Sequence, residues 1–327
     1  MSKFSKALLS IVAAAGLLAG FASETFAGGR QPGSLLVYPV YLSDGSGMTC
    51  INVTNTWDAP TFNPNTNLDG VIDVHFIYID GEYWTEFNRY ERLTPNDTLG
   101  VLAGDHNPNS EFGFVYCVAL DPVTQEPVDR DYLVGDELVM DSNNGAYYQI
   151  NAWAFAAVAG DGNPTDVNAN GHLDLDGSEY EQAPDKLILS SFIGDYAPAG
   201  FMPHLILVSL VCDSDYESTI DFEIFNNNEQ EFSATYKFRC WALVRLADID
   251  SVFTELFLRT TNHADELAAQ TGWARIDGDR AIDVVGNQAA INDPALIGAH
   301  FTTEYFGHLL HETKDRNPTD GCLDALL

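Results

Sequence analysis

The sequence predicts an all-β protein of two antiparallel β-sandwich domains joined by an acidic linker. Runs rich in Val, Ile, Tyr and Phe recur along its 327 residues, with turn residues between them. Only the short stretch from Asp248 to Asn262 could hold a helix. At about 150 residues per domain the length suggests two domains, and the composition changes sharply near the middle of the chain.

The N-terminus has the pattern of a secretory signal peptide over residues 1–27. Lys3 and Lys6 precede an apolar run at 7–22, and small residues stand where a signal peptidase cleaves before Gly28. The run is short and rich in Ala and Gly, which disfavours a membrane anchor. We therefore expect cleavage before Gly28, no membrane insertion afterwards, and a mature protein that is secreted, periplasmic or held at the cell surface.

The first domain is predicted over residues 28–159 and contains four clear strand patterns. In the third of them, VIDVHFIYI, one set of alternate residues is apolar and the other set includes Asp73 and His75. This alternation predicts an antiparallel strand with only one side on a core. The four strand patterns are SLLVYPVYL (34–42), TCINVTN (49–55), VIDVHFIYI (71–79) and FGFVYCVAL (112–120).

The second domain is predicted over residues 187–327 and repeats this organisation. Residues 71–76 align with residues 219–224, and residues 112–115 align with residues 271–274. Both an internal duplication and a chance likeness between two β-meanders explain these short matches. The strand patterns of the second domain are HLILVSLVC (204–212), STIDFEIFN (218–226), EFSATYKFRCWALV (231–244) and GWARID (272–277).

The segment EFNRYERLTPNDTLGVL (86–102) combines an aromatic strand, a Leu-x-Pro turn and a Thr-x-x-Val strand. It resembles the middle of an immunoglobulin-like sandwich, so we expect both domains to be immunoglobulin-like. The resemblance implies that Cys50 and Cys117 lie on strands B and F and form an inter-sheet disulfide. For the second domain we predict a Cys212–Cys240 disulfide, which leaves Cys322 over. Export makes disulfides feasible.

The linker is predicted over residues 160–186, inside a stretch from Asp131 to Asp185 that has no Lys or Arg. The run from Asp166 to Asp174, DVNANGHLD, has oxygen-bearing side chains at loop positions 1, 3, 5 and 9 and Gly at position 6. It resembles the calcium loops of EF-hand, dockerin and thrombospondin type 3 repeats. Ca²⁺ needs about six to eight oxygen ligands, and alternate side chains of a tight loop can supply them.

This resemblance implies a Ca²⁺ site with named ligands. Position 12, where the loop usually has its acidic ligand, is Gly177, so Asp176 or Glu179 must complete the coordination. The alternative is a solvated acidic linker, because loops are generally rich in Asp, Asn and Gly. The predicted ligands are the side chains of Asp166, Asn168 and Asn170, the main-chain carbonyl of His172, Asp174 directly or through water, and Asp176 or Glu179.

The remaining composition limits the functions that the chain can have. With 48 acidic and 15 basic residues the formal net charge is −33, which repels nucleic acid. The sequence has no G-x-S-x-G nucleophile motif and no phosphate-binding glycine loop. We expect a non-catalytic, calcium-binding structural or adhesion module whose partner is an extracellular glycan or protein. The alternative is a secreted carbohydrate-active or other hydrolytic enzyme that uses acidic residues.

Overall fold

The fold is nearly all β, which confirms the predicted class. A computed structural model describes residues 31–58, 68, 70–142, 145–211, 215–261, 269–286 and 288–302, together with the backbone of 306–307, 310–311 and 322–323. The predicted signal peptide lies outside these residues. Within the described ranges, no helix has the length and apolar character needed to cross a membrane.

The first half of the chain folds into strands β1 to β9 and one helical turn, α1. Their bounds are β1 Leu35–Leu42, β2 Gly47–Asn55, β3 Ile72–Asp80, β4 Glu86–Leu93, β5 Thr98–Leu102, α1 Ala103–His106, β6 Phe112–Leu120, β7 Leu133–Asp141, β8 Ala146–Asn151 and β9 Trp153–Phe155.

The linker and the second half contain strands β10 to β21. The short helices α2 and α3 lie where the sequence predicts helical structure. The bounds are β10 Leu173–Asp174, β11 Lys186–Ile193, β12 His204–Ser209, β13 Tyr216–Asn226, β14 Glu231–Arg239, β15 Trp241–Arg245, α2 Leu246–Ile249, α3 Glu255–Thr261, β16 Thr271–Asp283, β17 Ile291–Asn292, β18 Leu296–Phe301, β19 Phe306–Gly307, β20 Leu310–His311 and β21 Cys322–Leu323.

These strands form four main antiparallel sheets. Sheet I has the order β5-β2-β7-β8 and sheet II the order β4-β3-β6-β1-β9. Sheet III has the order β15-β12-β18-β19, and sheet IV the order β14-β13-β16-β11-β20, with β17 beside β16. A separate two-stranded sheet pairs β10 with β21. The order β4-β3-β6-β1 in sheet II therefore recurs as β14-β13-β16-β11 in sheet IV.

The repeat extends to local details that the sequence match left open. Gly113 on β6 pairs with Tyr41 beyond a bulge in β1, and Gly272 on β16 pairs with Phe192 beyond a bulge in β11. At both glycines a Cβ atom would collide with a carbonyl oxygen of the neighbouring strand. The same bulge and the same close approach in both halves support an internal duplication.

Apolar side chains fill the space between successive sheets. One cluster lies between sheets I and II, one between II and III, and one between III and IV. A fourth joins β1, β7 and β8 to β12 and β18. Since two of these clusters contain residues of both halves, the division into two domains remains a prediction.

Sheet II is therefore covered on both sides, which overturns the prediction that β3 has only one side on a core. Every residue of β3 is buried, Asp73 and His75 included. Asp73 accepts two hydrogen bonds from Arg92 (2.6 and 2.8 Å), and His75 bonds to Asn88 (2.8 Å). These partners satisfy the polar groups that burial removes from water.

The predicted Cys50–Cys117 disulfide is wrong. Cys50 lies on β2 in sheet I, where its neighbour Ile51 faces the core and Cys50 itself is partly exposed. Alternate residues of a strand point to opposite faces, so Cys50 points away from Cys117, which is fully buried. Cys50 and Cys117 form no disulfide. Cys212 and the side chain of Cys322 lie outside the described residues, so the Cys212–Cys240 pairing remains a prediction.

Candidate functional site

The linker is a turned loop whose two ends are joined by a buried hydrogen bond. The hydroxyl of Thr165 and the phenol of Tyr180 lie 3.0 Å apart, and both side chains are fully buried. The amide of Thr165 also donates to the carbonyl of Pro127 (3.1 Å). Since Asp166 follows Thr165 and Glu179 precedes Tyr180, this bond brings the first and last predicted ligands close together.

Apolar residues of the loop fix it to the core between sheets II and III. Leu173, Leu175 and Tyr180 are fully buried there, and Ala183 is nearly so. They contact a cluster that contains residues of both halves of the chain. The loop is therefore part of the junction between the halves.

The front of the loop wraps around the carboxylate of Asp166. The amides of Asn170 and Gly171 donate to its two oxygens at 3.1 and 3.2 Å. Asn168 Oδ1 accepts from the amide of Asn170 (2.9 Å), and Asn170 Oδ1 accepts from the amide of His172 (2.8 Å). Gly171 has a φ of +79°, a conformation that glycine adopts without strain and that produces the sharp bend here.

Asp174 closes the front of the loop from the other side. Its Oδ2 accepts hydrogen bonds from the side-chain amides of Asn168 (2.7 Å) and Asn170 (3.2 Å). The four predicted ligands Asp166, Asn168, Asn170 and Asp174 thus share one hydrogen-bonded network. Each of them has an oxygen atom within this network.

Glu179 is the buried carboxylate of the site. The side chain is fully buried, and its Oε2 accepts from the amide of Asp174 (3.2 Å). Its Oε1 is buried and has no hydrogen-bond partner among the described residues. Burial is the main cause that raises the pKa of Glu179, and repulsion from Asp174 and Asp166 acts in the same direction, against the hydrogen bond from the backbone of Asp174.

Asp176 and His172, the other two predicted ligands, have different positions. Asp176 Oδ1 accepts from the amide of Ser178 (2.8 Å) and so caps the turn that contains Gly177. The amide of His172 takes part in the network through Asn170. Among the residues described, no group of three His, Cys, Asp or Glu side chains is close enough to form a metal site by those residue types alone.

Sequence reasoning missed the residues that hold the linker in place. Asp129 Oδ2 accepts from the amide of Gly160 (2.6 Å), and Asp131 Oδ1 accepts from the amide of Ala157 (2.9 Å) and the hydroxyl of Ser34 (2.7 Å). Burial is the main reason that the pKa values of both carboxyls are raised. The spacing of ligands along the chain cannot indicate such contacts, because the partners are distant in sequence.

A second polar cluster lies in a groove of about 420 Å³ on the outer side of sheet IV. Asp221 and Asp277 are directly opposite each other on β13 and β16. Burial raises the pKa of Asp277 to about 6, against the opposing effect of Lys186 at 3.9 Å. Arg275, which also lines the groove, forms an ion pair with Glu223 (3.0 Å).

Trp273, on the same strand as Arg275 and Asp277, already has neighbours against its ring. Trp273 lies against Phe225, with ring centroids 4.2 Å apart and planes 12° from parallel. The Arg275 guanidinium lies 5.6 Å from the centre of the Trp273 ring. Two neighbours thus already contact the indole.

Comparison with known proteins adds no family. No family model and no curated protein matches the chain. Among solved structures, it is similar to a chain of "Cowpea mosaic virus top component (CPMV-T) - naturally occurring empty particles" at 11% sequence identity. That alignment covers 85% of this chain and 81% of the viral chain, with a TM-score of 0.16. A TM-score this low carries no argument about fold or function.

Proposed function

We propose that the protein is an exported, non-catalytic structural or binding module that a Ca²⁺ ion in the linker stabilises. The observation that carries this proposal is Glu179, a fully buried carboxylate whose Oε1 has no hydrogen-bond partner among the described residues. An ionised buried carboxylate without a partner is costly, and a bound divalent cation would offset this cost.

The ligand set has the chemistry that Ca²⁺ requires. Hard oxygen donors at about 2.3–2.6 Å are its usual ligands. Binding requires Asn168 and Asn170 to turn their side-chain oxygens towards the ion. This turn breaks their hydrogen bonds to Asp174 and those that their oxygens accept from the amides of Asn170 and His172. The proposed ligands are the side chains of Asp166, Asn168, Asn170, Asp174 and Glu179 and the main-chain carbonyl of His172. Asp176 is left to cap its turn.

The charge around the loop supports a cation. No Lys or Arg occurs from Asp131 to Asp185. The nearest cation before that stretch, Arg130, lies 3.9 Å from Asp161. Repulsion among the loop carboxylates therefore favours a divalent ion. Because position 12 lacks its usual acidic ligand, we expect a Kd for calcium on the order of 10⁻⁴–10⁻³ M, as in extracellular modules.

A bound ion would stiffen the junction of the two halves, because Leu173, Leu175 and Tyr180 anchor the loop in the core between sheets II and III. The proposed partner is a glycan or a protein outside the cell. Export rests on the signal pattern at residues 1–27, and the net charge of −33 argues against nucleic acid.

Calorimetric titration with CaCl₂ tests the proposal, with Glu179→Gln as the variant and Asp176→Asn as the matched control. Losing a charged ligand should weaken binding by about tenfold or more in Glu179→Gln, whereas Asp176→Asn should bind nearly as the wild type does. At 100-fold excess over Kd, calcium should stabilise the protein by about 2.7 kcal/mol. Equal effects of NaCl at matched ionic strength would contradict the proposal.

The groove on sheet IV supports one alternative, a secreted hydrolase. Asp277, with a pKa of about 6, lies directly opposite Asp221, and a carboxyl with such a raised pKa suits a general acid. Product release from a panel of polysaccharides, lost in Asp277→Asn, would favour the enzyme. Binding on a glycan array without turnover would favour the non-catalytic module.

A further inference from the structure

The two halves of the chain have the same strand order in both of their main sheets. Sheet I, with the order β5-β2-β7-β8, recurs as sheet III with the order β15-β12-β18-β19, just as sheet II recurs as sheet IV. Helix α1 begins directly after β5, at Ala103, and helix α2 begins directly after β15, at Leu246. Sheet I is therefore the counterpart of sheet III, and sheet II is the counterpart of sheet IV.

The two halves are stacked head to tail. The cluster between sheets II and III contains Val37 and Tyr116 from the first half and Val208 and Ile297 from the second. Because sheets II and III are not counterparts, two different surfaces of the repeat meet in this contact, which makes it heterologous. Each half thus uses one of its two docking surfaces. The two surfaces left over are the outer face of sheet I, turned away from sheet II, and the outer face of sheet IV, turned away from sheet III.

The outer face of sheet I has an apolar patch. Met48 lies opposite Met140, which lies opposite Tyr147, and Cys50 lies opposite Leu138. The alternation of buried and more exposed residues along these strands places all of these side chains on the outer face. Met48 is 42% exposed and Tyr147 is 57% exposed. Contiguous exposed apolar side chains of this kind are typical of an interaction surface.

This patch is the counterpart of a surface that the second half buries. The last residue of β5 pairs with Cys50, and the last residue of β15 pairs with His204. Cys50 and His204 in turn lie opposite Leu138 and Phe301, which are therefore counterparts. Phe301 is buried and stacks on Tyr148 of the first half, with ring centroids 4.4 Å apart. The equivalent surface around Leu138 has no such cover among the described residues.

The outer face of sheet IV is partly apolar and partly charged. The shared bulge makes Ile188 the counterpart of Val37, and the shared glycine makes Arg275 the counterpart of Tyr116. Val37 and Tyr116 both pack against sheet III. Ile188 keeps the apolar character of this docking surface, whereas Arg275 replaces an aromatic ring by a charge. A contact through this face is therefore more polar than the internal one, as in interfaces that form reversibly.

The charges on the two outer faces favour a contact of sheet I with sheet IV. The four strands of sheet I contain no Lys or Arg, and Asp136 is a carboxylate on its outer face. Lys186, Lys237 and Arg275 lie on the strands of sheet IV. Each has an acidic neighbour within 3.9 Å on its own sheet, so these charges orient the contact more than they strengthen it. Two copies of sheet I would instead oppose acid with acid.

We propose that copies of this chain associate head to tail, with sheet IV of one copy on sheet I of the next, as sheet II lies on sheet III within the chain. A heterologous contact leaves one free docking surface at each end, so association continues beyond the dimer into a ring or an open chain. The protein partner of the proposed structural module is then a second copy of itself. This inference rests on the repeat and is independent of the proposed calcium site.

Sedimentation velocity across the micromolar range tests the association, in about 0.15 M NaCl to screen repulsion between the acidic copies. The wild type should sediment faster as its concentration rises and should pass the value of a dimer. Leu138→Glu on sheet I and Ile188→Glu on sheet IV should each weaken association by about tenfold or more, because each buries a carboxylate in the contact. Val123→Glu, at a turn residue that is 72% exposed and lies outside both faces, is the matched control.

A mixture of the two variants distinguishes a head-to-tail contact from a symmetric one. Leu138→Glu and Ile188→Glu each keep a different intact face, so together they should form dimers and nothing larger. Tyr147→Glu and Arg275→Glu, both at exposed positions, repeat the experiment if circular dichroism shows that a first variant is unfolded. A wild type that stays monomeric at every concentration overturns the proposal. So does association that is lost in Leu138→Glu but unchanged in Ile188→Glu, because sheet I would then pair with itself.

Discussion

Thr165 and Tyr180, 15 residues apart, join the two ends of the acidic loop through a buried hydroxyl–phenol hydrogen bond of 3.0 Å. Each residue is the immediate neighbour of a proposed ligand, Asp166 or Glu179. Both side chains are fully buried, so water cannot replace either partner. The bond therefore fixes the separation of the two carboxylates on which a cation would depend.

Removing one partner of this bond should be costly. We expect Tyr180→Phe to lower the free energy of unfolding by about 1–3 kcal/mol, because it leaves the Thr165 hydroxyl buried and unpaired. It should also weaken calcium binding. The double variant Thr165→Val with Tyr180→Phe removes both polar groups and should recover part of the loss in urea unfolding. Strictly additive losses would argue against a direct bond.

We expect the buried carboxyl of Glu137 to make the protein less stable as the pH rises. It is fully buried on β7, accepts from the amide of Val40 (3.3 Å), and burial raises its pKa well above the ordinary value. The folded state thus keeps a proton that the unfolded chain loses above about pH 4.5. Glu137→Gln cannot ionise, so its stability relative to the wild type should increase between pH 5 and pH 8. A constant difference in urea unfolding would contradict this prediction.

We expect His300 to have the opposite effect, making the protein less stable as the pH falls. It lies buried on β18, its Nε2 has no hydrogen-bond partner among the described residues, and burial lowers its pKa to about 4. In the unfolded chain this imidazole binds a proton below about pH 6.5, whereas in the folded protein it stays neutral down to about pH 4. Its contribution to the free energy of unfolding is therefore complete above pH 6.5 and is lost as the pH falls towards 4. The loss should reach about 3 kcal/mol.

His300→Leu should remove this part of the acid dependence of unfolding. His204, whose pKa burial also lowers, has the same sign and should leave a smaller slope in the variant. Thermal or urea unfolding at pH 7 and pH 4.5 measures the difference. A wild-type slope that persists undiminished in His300→Leu would assign the acid sensitivity to other groups.

The two repeated glycines predict a graded response to alanine. A Cβ at Gly113 would overlap the carbonyl oxygen of Ile79, and its φ of +152° is unfavourable for other residues. At Gly272 the Cβ would lie 2.6 Å from the Phe225 oxygen. Gly113→Ala should therefore destabilise by more than Gly272→Ala, and both should exceed the cost of about 1 kcal/mol expected for the open turn at Gly145. Melting temperatures of the three variants give the order.

Export predicts a processed N-terminus. Intact mass of protein recovered from outside the cytoplasm should correspond to a chain that begins at Gly28 or within a residue or two of it. A retained segment 1–27 in such material would remove the basis for the predicted compartment.

The strands could be predicted from sequence because their signals are local. Val, Ile and aromatic residues between turn residues identify β1, β3, β6 and β13 within a few residues of their observed bounds. The match between residues 71–76 and 219–224 also identified equivalent strands of the two repeated sheets. The same signals say nothing about what covers the second face of a sheet, which is why the burial of Asp73 and His75 was missed.

For the candidate site, spacing alone predicted that Asp166, Asn168, Asn170 and Asp174 lie together, because a tight turn brings alternate side chains of one short segment together, and the structure joins them in one hydrogen-bonded network. The proposal of Glu179 rather than Asp176 as a ligand rests on the tertiary structure, since Glu179 is buried beside the core between sheets II and III. The predicted Cys50–Cys117 disulfide was wrong for a related reason. The direction of a side chain on a strand follows from the strand's register, and the register depends on packing. The residue types of a candidate site can thus be read from a short segment. Which side chains are buried, and in which direction they point, depends on residues far apart in the chain.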